Sequence, residues 1–305
     1  MALWQTMISS LTSSLLCWFS LLSPPKWLCV NIYNKATMIK NLTKRSPIKG
    51  RGYQVACKPC GPLACNLYTL ICDVTKQSAI VDPAVYTHEE MDDLQEHLDG
   101  TEVTHILLTH GHSDHVAGVK EVMAAYPKAS LLMHPLEAEN YAQASDMGLQ
   151  FGLRIPHDLP EPTHEILDGD VIKIGDTIRL DSLHTPGHSP GHVAFVDHDI
   201  NTWIEQSNRS SKESVIFGGD LLFRGSVGRT DFPNSSIDDL YASLRRLYIR
   251  CHQKSIVLSG HTTPTFLNTE AESNPFCKLA IERPDEWFQD VSQRHGWNIR
   301  SIPNR

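Results

Sequence analysis

The segment Thr109-His110-Gly111-His112-Ser113-Asp114-His115 places four good metal ligands within six residues. Imidazole nitrogen and carboxylate oxygen together suit Zn2+, and Fe or Mn as well. The small residues Gly111 and Ser113 let a tight loop aim those ligands in two directions. A histidine-rich loop can also be merely solvated, or can cap a following helix through its aspartate. One histidine would carry no more than that. Three histidines and an aspartate at this spacing, directly after the apolar run 104–109, point to a metal site instead.

This spacing resembles the His-x-His-x-Asp-His signature of the metallo-β-lactamase superfamily. Three later segments resemble that family's remaining motifs, in order: Thr185-Pro186-Gly187-His188-Ser189-Pro190-Gly191-His192, Phe217-Gly218-Gly219-Asp220 and Ser259-Gly260-His261. The resemblance implies two divalent cations, zinc being the expectation and iron or manganese the alternatives. It puts His110, His112 and His188 on one, Asp114, His115 and His261 on the other, and Asp220 between them. It also implies an α/β chain with the αββα sandwich fold, two mixed β-sheets flanked by helices, with the metal site at one edge. Two cations about 3.5–4 Å apart can share a water and lower its pKa from about 16 toward 7. The expected nucleophile is thus a metal-bridging hydroxide, with Asp114 a ligand and a candidate proton acceptor. The same cations would stabilise the oxyanion formed when a carbonyl is attacked.

Within the superfamily the sequence resembles the glyoxalase II (hydroxyacylglutathione hydrolase) group. The residues that carry this are the loop Gly219-Asp220-Leu221-Leu222-Phe223-Arg224-Gly225-Ser226-Val227-Gly228-Arg229-Thr230-Asp231 and the later Glu272-Ser273-Asn274-Pro275-Phe276. The implied reaction is hydrolysis of a hydroxyacyl-glutathione-type thioester, a small-molecule substrate whose thiolate leaves without needing a strong general acid. The pattern also departs from the group. Asp231 stands where a glutathione-holding tyrosine is expected, Thr262-Thr263 follows His261, and 44 residues remain after His261. The chain therefore resembles the short branch without the full C-terminal glutathione-binding domain. Arg229 matches the basic position and is a candidate for a substrate carboxylate; a structural salt bridge is the other reading. The main rival is a persulfide dioxygenase, which shares the fold and the sequence seen here as Gly228–Phe232, and for which His110, His188 and Asp220 could hold a single iron. A lactonase, β-lactamase or nuclease is a further alternative, and a non-catalytic scaffold would have been free to lose ligands that this chain keeps.

These motifs need rigid carriers, and the periodicity supplies them. Runs 67–72, 79–81 and 104–109 read as strands, and 88–98 as a helix. A helix is expected over 116–126, with Val116, Val119, Val122, Met123 and Tyr126 on one face, and another over 136–145. Strands follow at 171–174, 177–184, 192–197 and 215–218, then an amphipathic helix over 236–250 and a strand at 255–258 running into Gly260-His261. Such an order suggests sheets covered by helices on their outer faces. Asp82, closing a strand, reads as a turn former or a support for a ligand. His134 reads as structural, and His184 and His192 as loop-fixing groups or ligand supports.

The 305 residues are 41% hydrophobic and 20% charged, ordinary for a globular protein with a real core. Residues 1–72 carry eight basic residues and no acidic one, whereas the other 233 hold 19 basic against 35 acidic. So acidic a body argues against nucleic acid as a partner. Residues 1–52 read as a leader, an apolar stretch followed by a basic, acid-free one. That order suggests an organelle: a plastid reached through the secretory route, or a mitochondrion, with secretion as the alternative. No membrane association is expected after its removal. The metal-binding domain is placed at 53–268, with a short C-terminal extension over 269–305. The polar stretch 199–213 reads as a surface-loop insertion. Cys57-Lys58-Pro59-Cys60 is a Cys-x-x-Cys that could bind zinc or do redox chemistry, although free cysteine is also a common core residue.

Overall fold

Strand β2 (Cys65–Cys72) is buried at every position, and its side chains divide between two apolar clusters. Tyr68, Leu70 and Cys72 join one, Leu67 and Ile71 the other. Alternation of this kind marks a strand covered on both faces. The computed structural model describes residues 52–197 and 214–297. The expected leader, apart from its last residue, and the expected insertion loop lie outside the described residues.

In the first sheet β2 lies between β1 (Tyr53–Cys60) and β3 (Gln77–Val81), followed by β4 (Glu102–Leu107), β5 (Ser130–Met133) and β6 (His164–Glu165). The first three strands are antiparallel, and β3 to β6 run parallel. The second sheet has the order β14 (Thr265–Phe266), β13 (Ile256–Ser259), β10 (Val215–Gly219), β9 (Val193–Asp197), β8 (Ile178–His184), β7 (Val171–Ile174). Only its β10–β13 pairing is parallel. A small hairpin, β11 (Leu222–Phe223) and β12 (Ser226–Val227), stands apart.

Between the sheets lies one core, with Tyr68, Leu70, Val81 and Leu107 meeting Ile174, Leu180, Phe195 and Phe217. Fully burying a side chain of this kind contributes roughly 1.5–3 kcal/mol. On the outer face of the first sheet pack α1 (His88–His97), α2 (Ser113–Val116), α3 (Val119–Ala125), α4 (Ala138–Ala142) and α5 (Ala144–Gln150). On that of the second pack α6 (Ile237–Arg250), α7 (Leu267–Ser273) and α8 (Pro275–Glu282). Helix α9 (Asp285–Arg294) buries Phe288 and Val291 against Ala242 of α6. The layers are helix, sheet, sheet, helix: the αββα sandwich expected from the motifs.

Local chemistry accounts for the boundaries. Helix α1 begins at a reciprocal cap between Thr87 and Glu90, and α6 at Ser236, whose side chain accepts from Asp239 N. Two local expectations need correction, and one strand has no counterpart in the sequence reading. The helix over 116–126 is interrupted between α2 and α3: the Gly118 amide donates to Pro83 O at 2.8 Å, outside the helix, and only glycine fits so close, since a Cβ would stand 2.6 Å from Val85 Cβ. The helix over 136–145 is a 3-10 turn at Pro135–Glu137 followed by α4 and α5. Finally, 53–60 is a strand, paired in register from Tyr53↔Cys72 to Cys60↔Cys65. The Cys-x-x-Cys lies on it, so Cys57 and Cys60 join opposite apolar clusters. Burial pushes both thiols up to about 12. They form neither a chelate for one ion nor a redox pair.

Candidate metal centre

Parallel pairing puts the ends of β3 and β4 side by side, and likewise those of β10 and β13. Asp82 follows β3, His110 follows β4 and Asp220 follows β10, while His261 lies just past β13. Short helix α2 carries Asp114 and His115, and His188 sits on the loop from β8 to β9. All seven sequence-predicted ligands meet at this edge of the sandwich.

They meet as two groups joined by Asp220. Donor atoms of His110, His112 and His188 lie within 4.8 Å of one another, as do those of His110, His115 and Asp220. His112 Nδ1 is 2.8 Å from His188 Nε2. In the second group His261 Nε2 lies 3.1 Å from Asp114 Oδ2 and His115 Nε2 lies 3.9 Å from it. Asp220 reaches across: its Oδ1 is 3.3 Å from His115 Nε2, and its Oδ2 is 3.6 Å from Nε2 of both His188 and His261.

Neighbouring groups fix which nitrogen faces inward. Asp82 accepts from Thr109 N at 2.8 Å, from Thr109 Oγ1 at 2.7 Å and from His115 Nδ1 at 2.9 Å. Thr109 Oγ1, having donated its proton, accepts from His110 Nδ1 at 3.0 Å. His188 Nδ1 donates to the Arg229 carbonyl at 2.7 Å and His261 Nδ1 to that of Leu63 at 3.2 Å. The Nε2 lone pairs are thereby turned into the site. His192 Nε2 accepts from Asp220 N at 3.0 Å, so it supports a ligand. His134 stacks on His184, ring centroids 4.5 Å apart, away from the ligands.

The two groups differ in charge. Burial, then mutual repulsion, pushes His110 well below the ordinary histidine range, and His112 down to about 3; burial also lowers His188. Those imidazoles are neutral donors. Burial acts to lower His115 and His261 too, but Cys65 and the carboxylates around His115, and Asp220 and Asp114 around His261, outweigh it and raise both. Conversely, burial pushes Asp114 and Asp220 up, yet His115 and His261 hold both below the usual carboxylate range.

Cations fit this set. His110 Nε2, His115 Nε2 and Asp220 Oδ1 are buried without a hydrogen-bond partner, a cost of about 1–3 kcal/mol each. A bound ion would satisfy all three. At Gly260 a Cβ would stand 2.6 Å from His115 Cε1 and 2.3 Å from Asp220 Oδ1, so glycine before His261 keeps the centre open.

Two further residues carry weak sequence signals. Cys65 is buried with its sulfur among the donors of Asp114, His115 and His261, and a thiol beside an apolar run looks like core. Glu137, fully buried, accepts from Gly111 N at 2.8 Å and Gly191 N at 2.6 Å, tying the first ligand loop to the His188 loop. No local pattern marks it. Arg229 is exposed, and its Nε and Nη2 donate to the two oxygens of Asp231 at 2.8 and 2.7 Å. Beside His112 and His188 opens a cavity of about 230 Å3, lined also by Glu139, Asn140, Gln143, Met147, Phe151 and Phe232. A larger one, of about 380 Å3 between Met133, Tyr141 and His157, touches no predicted ligand; chemistry, not size, favours the first.

The family model described as the metallo-β-lactamase superfamily matches residues 61–200. Hydroxyacylglutathione hydrolase GloC of Haemophilus influenzae is 31% identical over 209 residues, 68% of this chain and 91% of that protein. The chain belongs to the metallo-β-lactamase superfamily. A second superfamily relative, the hydroxyacylglutathione hydrolase of a Polaromonas species, is 27% identical over 194 residues, 64% of this chain but 60% of that longer protein. Among solved structures, TTHA1623 in a di-iron-bound form is 36% identical with a TM-score of 0.59, covering 71% of this chain and 96% of its own. The B3 metallo-β-lactamase BLEG-1 is 28% identical with a TM-score of 0.62, covering 73% and 99%. The superfamily's metal-dependent hydrolase fold is the one described above, and the clustered His and Asp donors suit the divalent metals that fold binds.

Proposed function

We propose that this metal-dependent hydrolase cleaves acyl thioesters of the hydroxyacyl-glutathione type and does so with two cations. The observation that carries the reading is Asp220, whose Oδ1 lies 3.3 Å from His115 and whose Oδ2 lies 3.6 Å from both His188 of the first group and His261 of the second. His110, His112 and His188 would hold one ion, Asp114, His115 and His261 the other, and Asp220 both. Bound cations supply Lewis acidity and a water acidic enough to serve as hydroxide near neutral pH.

The chain's own residues support the thioester choice. Apart from the two histidines, Glu139 is the one acidic or basic side chain among the described residues that line the adjoining cavity. Glu139 accepts from Asn234 Nδ2 at 3.1 Å and is thus engaged as a carboxylate, whereas a thiol, with a pKa near 8.5, departs as thiolate without an acid. Asp114 is kept ionised and can accept a proton from the attacking water. Met147, Phe151 and Phe232 would line the acyl group, and Asn140 and Gln143 offer hydrogen bonds to it. Arg229 can take a substrate carboxylate only in competition with Asp231. Similarity to GloC over nearly its whole length supports the same class.

The test is elemental analysis of full-length protein purified without added metal, assayed in parallel on lactoyl-glutathione and, with oxygen uptake, on glutathione persulfide. About two metals per chain with thioester hydrolysis is expected. One iron per chain with persulfide-dependent oxygen uptake would replace this reading by the dioxygenase.

A further inference from the structure

We infer that Cys65 is a protein donor to the second cation position, beside Asp114, His115 and His261, and gives that position a preference for thiophilic ions. This rests on the two-cation reading. Cys65 is 0% exposed at the start of β2, and its sulfur and the donor atoms of the other three residues lie within 4.8 Å of one another. Within the group His115 Nε2 is buried with no hydrogen-bond partner, so an unsatisfied lone pair faces the same space. Zinc–nitrogen and zinc–sulfur bonds of about 2.0 and 2.3 Å place neighbouring donors of one ion about 3–4 Å apart. His261 and His115 stand 3.1 and 3.9 Å from Asp114 Oδ2, and the Cys65 sulfur lies within 4.8 Å of all three donors.

The placement is enforced by the adjoining residues. Asn66 N donates to Gly260 O at 2.6 Å, and Asn66 Nδ2 donates to Ser259 O and Thr262 O, each at 2.9 Å. Tyr68 OH donates to Ser259 O at 2.7 Å. The strand carrying the thiol is thus fastened to the loop carrying His261, and the two ligands move as one body. The first position has nitrogen donors from three histidines and no sulfur. On metal binding a metal–sulfur bond forms and the thiol proton passes to solvent. A thiolate favours soft or borderline ions over Mn2+ or Mg2+, so the two positions select differently. A cysteine that served only as a small apolar filler would show neither effect.

The full-length chain loaded with Co2+ alone tests this. Two cobalt ions per chain are expected, together with a sulfur-to-cobalt charge-transfer band in the near ultraviolet. In Cys65→Ser that band disappears, and the preference for Cd2+ over Mn2+ at one of the two positions falls about tenfold or more. Two bound cobalt ions without the band, or a band that survives in Cys65→Ser, would overturn the role of Cys65 and leave the two-cation reading standing. Failure of the wild-type chain to take up two ions would overturn both. Should Cys65→Ser not fold, X-ray absorption on the cadmium-loaded wild type decides alone: a sulfur neighbour supports the inference, a purely nitrogen and oxygen shell refutes it.

Discussion

The two halves of the metal centre solve the same binding problem with opposite electrostatics. His110, His112 and His188 are histidines kept neutral by burial, with His112 pushed down to about 3. Asp114, His115 and His261 pair a carboxylate with two imidazoles that their acidic neighbours raise above the ordinary histidine range. The first half can accept a cation without releasing a proton. In the second, a cation competes with protons for imidazoles that bind them more readily. The difference means that the halves should fill and empty under different conditions, with Asp220 the one residue that serves both.

Removing Asp220 erases the comparison and should have the largest effect. Asp220→Ala is expected to lower metal content at both positions and to cut activity by about a thousandfold or more, with the far-ultraviolet circular dichroism unchanged. Full occupancy in that variant would show that the halves do not share the carboxylate. Acid titration sharpens the comparison instead. His115 and His261 are raised, so they reprotonate at higher pH than the lowered histidines of the first half. As pH falls below neutrality the second ion should leave first, giving two steps in metal content; a single step releasing both ions would refute the asymmetry. Next comes Asp82, whose Oδ2 accepts from His115 directly and from Thr109, which orients His110. Asp82→Asn should weaken both positions about 10–100-fold in chelator competition. Weakening confined to the second position would mean that Thr109 orients His110 unaided.

Much of this was legible because the first four ligands are local. Their spacing in 110–115 survives in the sequence, and the later motifs are recognisable by the residues flanking each ligand. Asp82 was legible only as a strand-ending residue with a supporting role in view, since its partners are 27 and 33 positions away. Cys65 and Glu137 also act over long separations, 26 and 54 positions for Glu137, but look like a core thiol and a helix-start carboxylate, so composition hides them. Strand β1 escaped because Cys57-Lys58-Pro59-Cys60 reads as a cysteine motif, and pairing with β2 overrides that. The break at Gly118 depends on its amide bonding to Pro83 O, which no helical periodicity records.

The smallest expected effect lies behind the first half, where Arg246 holds the end of β8 from which the His188 loop departs. Arg246 Nη1 and Nη2 donate to the two oxygens of Asp168, each at 2.8 Å, and Nη1 also donates to His184 O at 2.7 Å. Asp168 Oδ1 accepts from His184 N at 2.9 Å. Burial pushes the Asp168 carboxyl up, but Arg246 and the His184 amide outweigh it and hold it below the usual carboxylate range. A carboxyl lowered by folding stabilises the fold above its unfolded value, near 3.9, and loses that contribution as pH falls through its folded value. Asp168→Asn should therefore cost about 1–2 kcal/mol at neutral pH, kept modest because the side chain is partly exposed. In urea titrations the gap from wild type should close below pH 4, while metal content at neutral pH stays at two ions. A gap that persisted unchanged into strong acid would mean that Asp168 acts through shape and not charge, and that the first half owes its geometry to packing alone.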